Sequence, residues 1–247
     1  MILPGLCSVT FRQFEPQKII ELGSAAGLRA IEWGGDIHVP HGDEDAAKRV
    51  RDLTAAAGLQ VSSYGSYYRA AGTDVSFDAT LRSAVALGAK TIRVWAGNVP
   101  SVEASPELVA SIVDDLKTCV ALGAENDVSI ALEFHDGTLT DGNEAALRLL
   151  DAVPGVSIIW QPKTLFDVDY RREGLEKLLP RVSNLHVFQW AKDFSRLPLA
   201  DGASEWKSYL VLVNTLPGDR FALMEFVAAD SPEAFLADAA ILLQLLS

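Results

Sequence analysis

Four polar residues close four successive apolar runs in the second half of the chain: Glu133 in "SIALEF", Gln161 in "SIIWQ", His186 in "NLHVF" and Glu225 in "FALMEF". Glu133 and Glu225 have nearly the same setting, "ALEF" and "LMEF". A buried carboxylate is costly unless its charge is compensated, and two carboxylates drawn into one pocket repel each other without a cation. A divalent ion removes both difficulties. Two carboxylates, an imidazole and an amide oxygen suit Mn²⁺ first, with Mg²⁺, Co²⁺ and Zn²⁺ as further candidates. Taken singly, Glu133 is as easily an ion-paired residue, His186 a satisfied core histidine and Gln161 a structural amide. Their recurrence on four consecutive strand ends is what favours the metal.

Residues so distant in sequence meet only if the chain keeps returning to one place. Short β-rich runs ("LPGLCSV", "RAIEW", "QVSSY", "TIRVWA", "VSIALEF", "VSIIWQ", "NLHVFQW", "RFALMEFV") alternate with longer segments whose apolar residues recur at helical spacing. Several of those segments stop at glycine, as at Gly27, Gly58 and Gly88. Eight β–α units of about 31 residues each predict a closed parallel (β/α)8 barrel, a TIM barrel, as a single domain over residues 1–247. The C-terminal strand ends of such a barrel form its active face. An open doubly wound sheet is the alternative, but "GLCSVTFRQFEP" lacks the Gly-x-Gly-x-x-Gly turn after the first strand.

The 247 residues carry a formal charge of −12, with acidic residues spread along the chain. That balance argues against a nucleic-acid partner, which needs cationic contacts to phosphate. No apolar run reaches the roughly 20 residues that span a bilayer, and the N-terminus does not read as a signal peptide, so a cytoplasmic protein without membrane association is expected. The two cysteines, Cys7 and Cys119, have no metal-type spacing and read as free thiols.

The order strand-end Glu, sixth-strand ligand, His, Glu resembles the sugar isomerase/epimerase family with a xylose-isomerase-like barrel. "IEWGGDIHVPHG" and "EFHDGTLTD" also resemble its loops. The family includes ketose 3-epimerases, hydroxypyruvate isomerase and inosose dehydratase. The resemblance implies a metal held by Glu133, Gln161, His186 and Glu225, and a small, non-phosphorylated ketose, aldose or related polyol as substrate. Metal bound to a carbonyl and its neighbouring hydroxyl would stabilise an enediolate, with catalytic Glu133 and Glu225 as base and acid on opposite faces. The family's usual sixth-strand ligand is Asp. Gln161 in its place leaves the two carboxylates to balance a divalent ion, so the metal should be held less tightly and act as a stronger Lewis acid.

Further polar residues could fix the sugar: Asp36, His38 and His41 after the second strand, Tyr64, Tyr68 and Arg69 with Tyr67 after the third, and His135 after the fifth. Lys192 could bind an anionic group, although the loop "EFVAADSPEAF" lacks the glycines of a barrel phosphate site. Each of these has an ordinary alternative, as a loop-ordering or core residue. Two other functions stay open: a sugar-acid or inosose-type dehydratase or lyase, which shares the enediolate chemistry, and a catalytically silent sugar-binding or partner subunit, for which Gln161 is the best argument. A homo-oligomer, dimer or tetramer, is expected from the resemblance.

Overall fold

A computed structural model describes residues 1–247. Eight strands, β1 (Ile2–Cys7), β2 (Ala30–Gly34), β3 (Gln60–Arg69), β4 (Thr91–Trp95), β5 (Ser129–Glu133), β6 (Ser157–Trp160), β7 (Val182–Val187) and β8 (Arg220–Met224), pair in parallel in chain order. β8 returns to β1 through the register Gly5 to Leu223, which closes the barrel and leaves no free edge. Between them run α1 (Pro16–Ala25), α2 (Glu44–Ala56), α3 (Phe77–Leu87), α4 (Pro106–Ala124), α5 (Asn143–Ala152), α6 (Val168–Leu178) and α7 (Ala203–Val213), and α8 (Pro232–Leu246) ends the chain.

Local chemistry sets where these elements begin and stop. Ser105 and Ser231 each accept a hydrogen bond from the backbone N–H three residues on, with Pro106 and Pro232 opening the helices behind them. Asp43 and Asp167 cap α2 and α6 in the same way. α3 ends at Gly88, whose φ of 77° is a left-handed conformation that glycine adopts without strain. The strands themselves are buried on both faces, as parallel strands covered by helices must be. One continuous apolar cluster runs from Ile2 on β1 to Leu242 on α8, so nothing divides the barrel.

The strand order matches the one predicted, with one difference that matters for the site. β3 runs on through Tyr67 and Tyr68 to Arg69, residues expected from the sequence to follow the strand. Side chains alternate across a strand. Ser63, Gly65 and Tyr67 therefore face the barrel interior, whereas Tyr64 and Tyr68 face the helices and bond to Val39 O (2.8 Å) and Asp115 Oδ2 (2.6 Å).

Candidate active site and metal centre

The C-terminal face holds a cleft of about 260 Å³ whose floor is built from strand ends. Glu133 closes β5, Gln161 follows β6, His186 lies near the end of β7 and Glu225 follows β8. All four are buried. Phe226, directly after Glu225, takes a left-handed φ of 57°, a strained conformation for a residue with a Cβ. Its N–H donates to Thr10 Oγ1 at 3.0 Å, so this sharp turn fixes where Glu225 points.

His186 is the hub. Its Nδ1 lies 3.4 Å from Glu225 Oε2 and 3.7 Å from Glu133 Oε1, and its Nε2 lies 3.4 Å from Glu32 Oε1. Neither nitrogen has a hydrogen-bond partner of good geometry. Glu32, on β2, is gripped by Ser63 Oγ at 2.6 Å and Arg93 Nε at 3.0 Å. Burial would raise the Glu32 carboxyl, but Arg93 and His186 outweigh it and bring the pKa down to about 2. Burial likewise disfavours imidazolium, yet the surrounding Cys7, Glu225 and Glu32 hold His186 well above its ordinary value. Cys7 is itself pushed up to about 12 by burial and is a neutral thiol at pH 7, so the two carboxylates carry that effect. Glu225 moves the other way: His186 and Arg93 overcome its burial and lower its pKa.

The buried cation Arg93 escaped the sequence reading. Its guanidinium, on β4, bonds Glu32 and also the Oε2 of Glu133, which in addition accepts from Trp95 Nε1 at 2.5 Å. Converging carboxylates therefore do not by themselves require a metal here, because Arg93 already compensates Glu32 and Glu133 and leaves Glu225 without a paired cation of its own. The signal was present in "TIRVWA", where Arg93 shares the face of Trp95 by strand alternation.

What Arg93 leaves open is a donor set. Oε1 of Glu133, Nδ1 of His186 and Oε2 of Glu225 are the facing ligand atoms of a trio that lies within 4.8 Å. Gln161 sits beside them: its Nε2 is 3.5 Å from Glu133 Oε1 and 2.9 Å from Phe134 O, while its buried Oε1 has no partner. Unpartnered buried acceptors beside two carboxylates fit a divalent ion. Glu32 would then hold the far side of the imidazole through Nε2, as carboxylates behind metal-binding histidines do. A second trio, Cys7, Glu32 and His186, shares the same imidazole, but its carboxylate is already occupied by Arg93 and Ser63. A metal at Nδ1 must displace any proton held there.

The remaining expected residues divide. His135 lines the cleft, stacked on Trp95 at 4.7 Å between ring centres. Asp36 and Arg69 reach it only at second hand, since Arg12 bonds both Asp36 and the hydroxyl of the lining Tyr67, and Arg69 lies 4.5 Å over the Trp95 ring. His38 is tied to Ser8 Oγ (2.9 Å) and Phe14 O (3.2 Å), and His41 packs edge-on against Tyr64. Neither lines the cleft, and neither do Tyr64 and Tyr68, which the alternation of β3 turns away. Lys192 is exposed outside it. The cation found in the cleft besides Arg93 is Lys163, two residues past Gln161 in "WQPKT", and Trp190, Phe194 and Phe226 form part of its wall.

Fold and site together define a parallel (β/α)8 barrel with a carboxylate, imidazole and amide donor set on its C-terminal face. Residues 20–244 match the family model for the xylose isomerase-like TIM barrel, and the chain belongs to that family. No curated protein matches. Among solved structures, the probable 3-DHS dehydratase AsbF of Bacillus anthracis is 17% identical with a TM-score of 0.80, covering 98% of this chain and 99% of its own. A D-allulose 3-epimerase from Methylomonas sp. is 14% identical with a TM-score of 0.73, covering 98% and 97%. A xylose isomerase-like TIM barrel protein from Mycobacterium smegmatis in complex with magnesium is 15% identical with a TM-score of 0.70, covering 100% and 97%. At such identities the likeness is one of fold.

Proposed function

We propose that the chain is a divalent-metal-dependent isomerase or epimerase acting on a small, non-phosphorylated ketose, aldose or related polyol. The observation that carries this reading is the approach of Glu133, His186 and Glu225 to within 4.8 Å of one another at the base of the cleft, beside the unpartnered oxygen of Gln161. Family neighbours that include an epimerase, a dehydratase and a magnesium complex support the same class of chemistry. A bound divalent ion would supply positive charge opposite the oxygen on which negative charge develops as a neighbouring C–H proton leaves.

The chain's own residues have distinct tasks. Glu225 is the carboxylate free to take that proton, since its neighbour in the donor set is His186 and no N–H or O–H group clamps it. Glu133 is held through Oε2 by Arg93 and Trp95 and is less free to swing toward a substrate carbon. The aromatic wall keeps water from the reacting carbon, and His135 is placed to bind hydroxyls.

That asymmetry favours a second reading, a dehydratase or lyase using one base, because epimerisation through two opposed carboxylates asks equal freedom of both. Mn²⁺-loaded protein incubated in D₂O with a panel of ketoses, aldoses and keto-acid polyols, read by NMR, tests both. Solvent deuterium should appear on a carbon next to the carbonyl, and Glu225→Gln should slow exchange about 10²-fold or more. An equal loss in Glu133→Gln marks two-face epimerisation, and exchange with loss of water marks the dehydratase. Full exchange in both variants, or none with any substrate, overturns the proposal.

A further inference from the structure

Two protein cations line the cleft, and their situations differ. Arg93 is paired with two carboxylates, Glu32 and Glu133, that are themselves buried. Lys163 is also buried, with 4% of its side chain exposed, but its partner Asp136 is 62% exposed. One end of this pair is locked in the cleft wall, over the Phe134 ring at 5.5 Å, while the other end stands in water. Asp136 can turn out into solvent at little cost, since an exposed carboxylate gains little from its pair. Lys163 cannot follow, and a buried ammonium left alone needs another anion.

We infer that Lys163 is the binding point for a carboxylate on the substrate, with Asp136 holding its place until the substrate arrives. The inference rests on the reading of the cleft as the substrate site proposed above, and it narrows the substrate class to small polyhydroxylated carboxylic acids. The charges agree. With Asp136 turned outward, buried Glu32, Glu133 and Glu225 face Arg93, Lys163 and a divalent ion, which leaves one positive charge for a monoanion to neutralise. A phosphate dianion overshoots that balance. The rest of the lining suits a polyol acid: Trp95, Trp190 and Phe226 present rings to C–H faces, and the buried indole N–H of Trp190 has no partner within the protein.

Matched open-chain probes test this by calorimetry on Mn²⁺-loaded protein: D-gluconate, D-sorbitol and D-sorbitol 6-phosphate, with Mn²⁺ uptake measured separately. D-gluconate should bind about 10-fold tighter than D-sorbitol or better, the usual scale of a hydrogen bond to a charged group. Lys163→Met should remove that preference, which separates Lys163 from direct binding of the carboxylate to the metal. The backbone carbonyl of Lys163, which accepts from Arg171, is retained in this variant. Should Lys163→Met fail to fold, the exposed Asp136→Asn decides, and it should tighten D-gluconate. Equal binding of D-gluconate and D-sorbitol by the wild type, a preference that survives Lys163→Met, a Lys163-dependent preference for the phosphate ester, or weaker D-gluconate binding in Asp136→Asn each overturns the inference. Lys163-dependent D-gluconate binding by a protein that takes up no Mn²⁺ keeps the anion site and removes the metal-enzyme reading instead.

Discussion

Arg93, 2% exposed, sits between Glu32 and Glu133, so these two carboxylates are compensated before any ion enters the cleft. Removing one member of a buried ionic cluster leaves the others uncompensated, which costs far more than the cluster gains in net stability. Arg93→Met should therefore destabilise the metal-free protein by about 3 to 5 kcal/mol, measured by urea unfolding at pH 7. A loss below about 1 kcal/mol would mean that one carboxyl simply protonates at little cost. At this scale the sequence showed the four strand-end groups, because a polar residue closing an apolar run stands out. It hid Arg93 and Lys163, because a cation's worth depends on partners that lie elsewhere in the chain: Glu32 on β2 and Glu133 on β5 for the first, Asp136 in the loop after β5 for the second.

β3 shows what an element adds to its residues. Gly65 pairs in register with Gly34 on one side and Arg93 on the other. A Cβ built there would lie 2.8 Å from Arg93 Nη2 and 2.8 Å from Glu32 Oε1, so the buried ion pair needs glycine at this position for want of space. Gly65→Ala should cost about 1 to 3 kcal/mol, the usual range for overpacking, and should loosen Glu32 behind His186. An alanine variant as stable as the wild type would show that the pair can shift. The same strand explains which tyrosine reaches the cleft. Alternation places Tyr67 inward and Tyr64 and Tyr68 outward, a parity readable in "SSYGSYYR" once the strand is known to run to Arg69. It was not readable earlier because polar and aromatic residues with a glycine also suit a loop. Strand existence and order were legible because β-rich runs and helical periodicity alternate eight times, whereas where a strand ends depends on pairing with its neighbours.

Across the whole molecule, pH links loops to barrel. Burial lowers the pKa of His38, which bridges Ser8 and Phe14, from its ordinary value near 6.5, and it lowers His41 and His135 likewise. The unfolded chain then binds protons that the folded chain refuses. Stability from these groups is fully present above about pH 6.5 and is lost as pH falls through the depressed folded values. His186, raised well above 6.5, is already protonated in the folded metal-free protein over this range, and the unfolded chain takes up that proton near pH 6.5, so His186 offsets a small part of the loss at the upper end only. The urea midpoint of metal-free protein should thus fall from pH 6.5 to 5, and less steeply in His38→Gln; an identical slope would exclude His38 as a contributor. No helix is long and apolar enough to cross a membrane. Whether Glu133, Gln161, His186 and Glu225 together hold one divalent ion is read most directly by titrating Mn²⁺ into metal-free protein by calorimetry. About one ion should bind per chain, His186→Ala should weaken binding about 10-fold or more, and Gln161→Asp, which adds a negative charge beside the ion, should tighten it. Wild-type protein that takes up no Mn²⁺, or His186→Ala protein that binds it as the wild type does, would contradict the four-residue site.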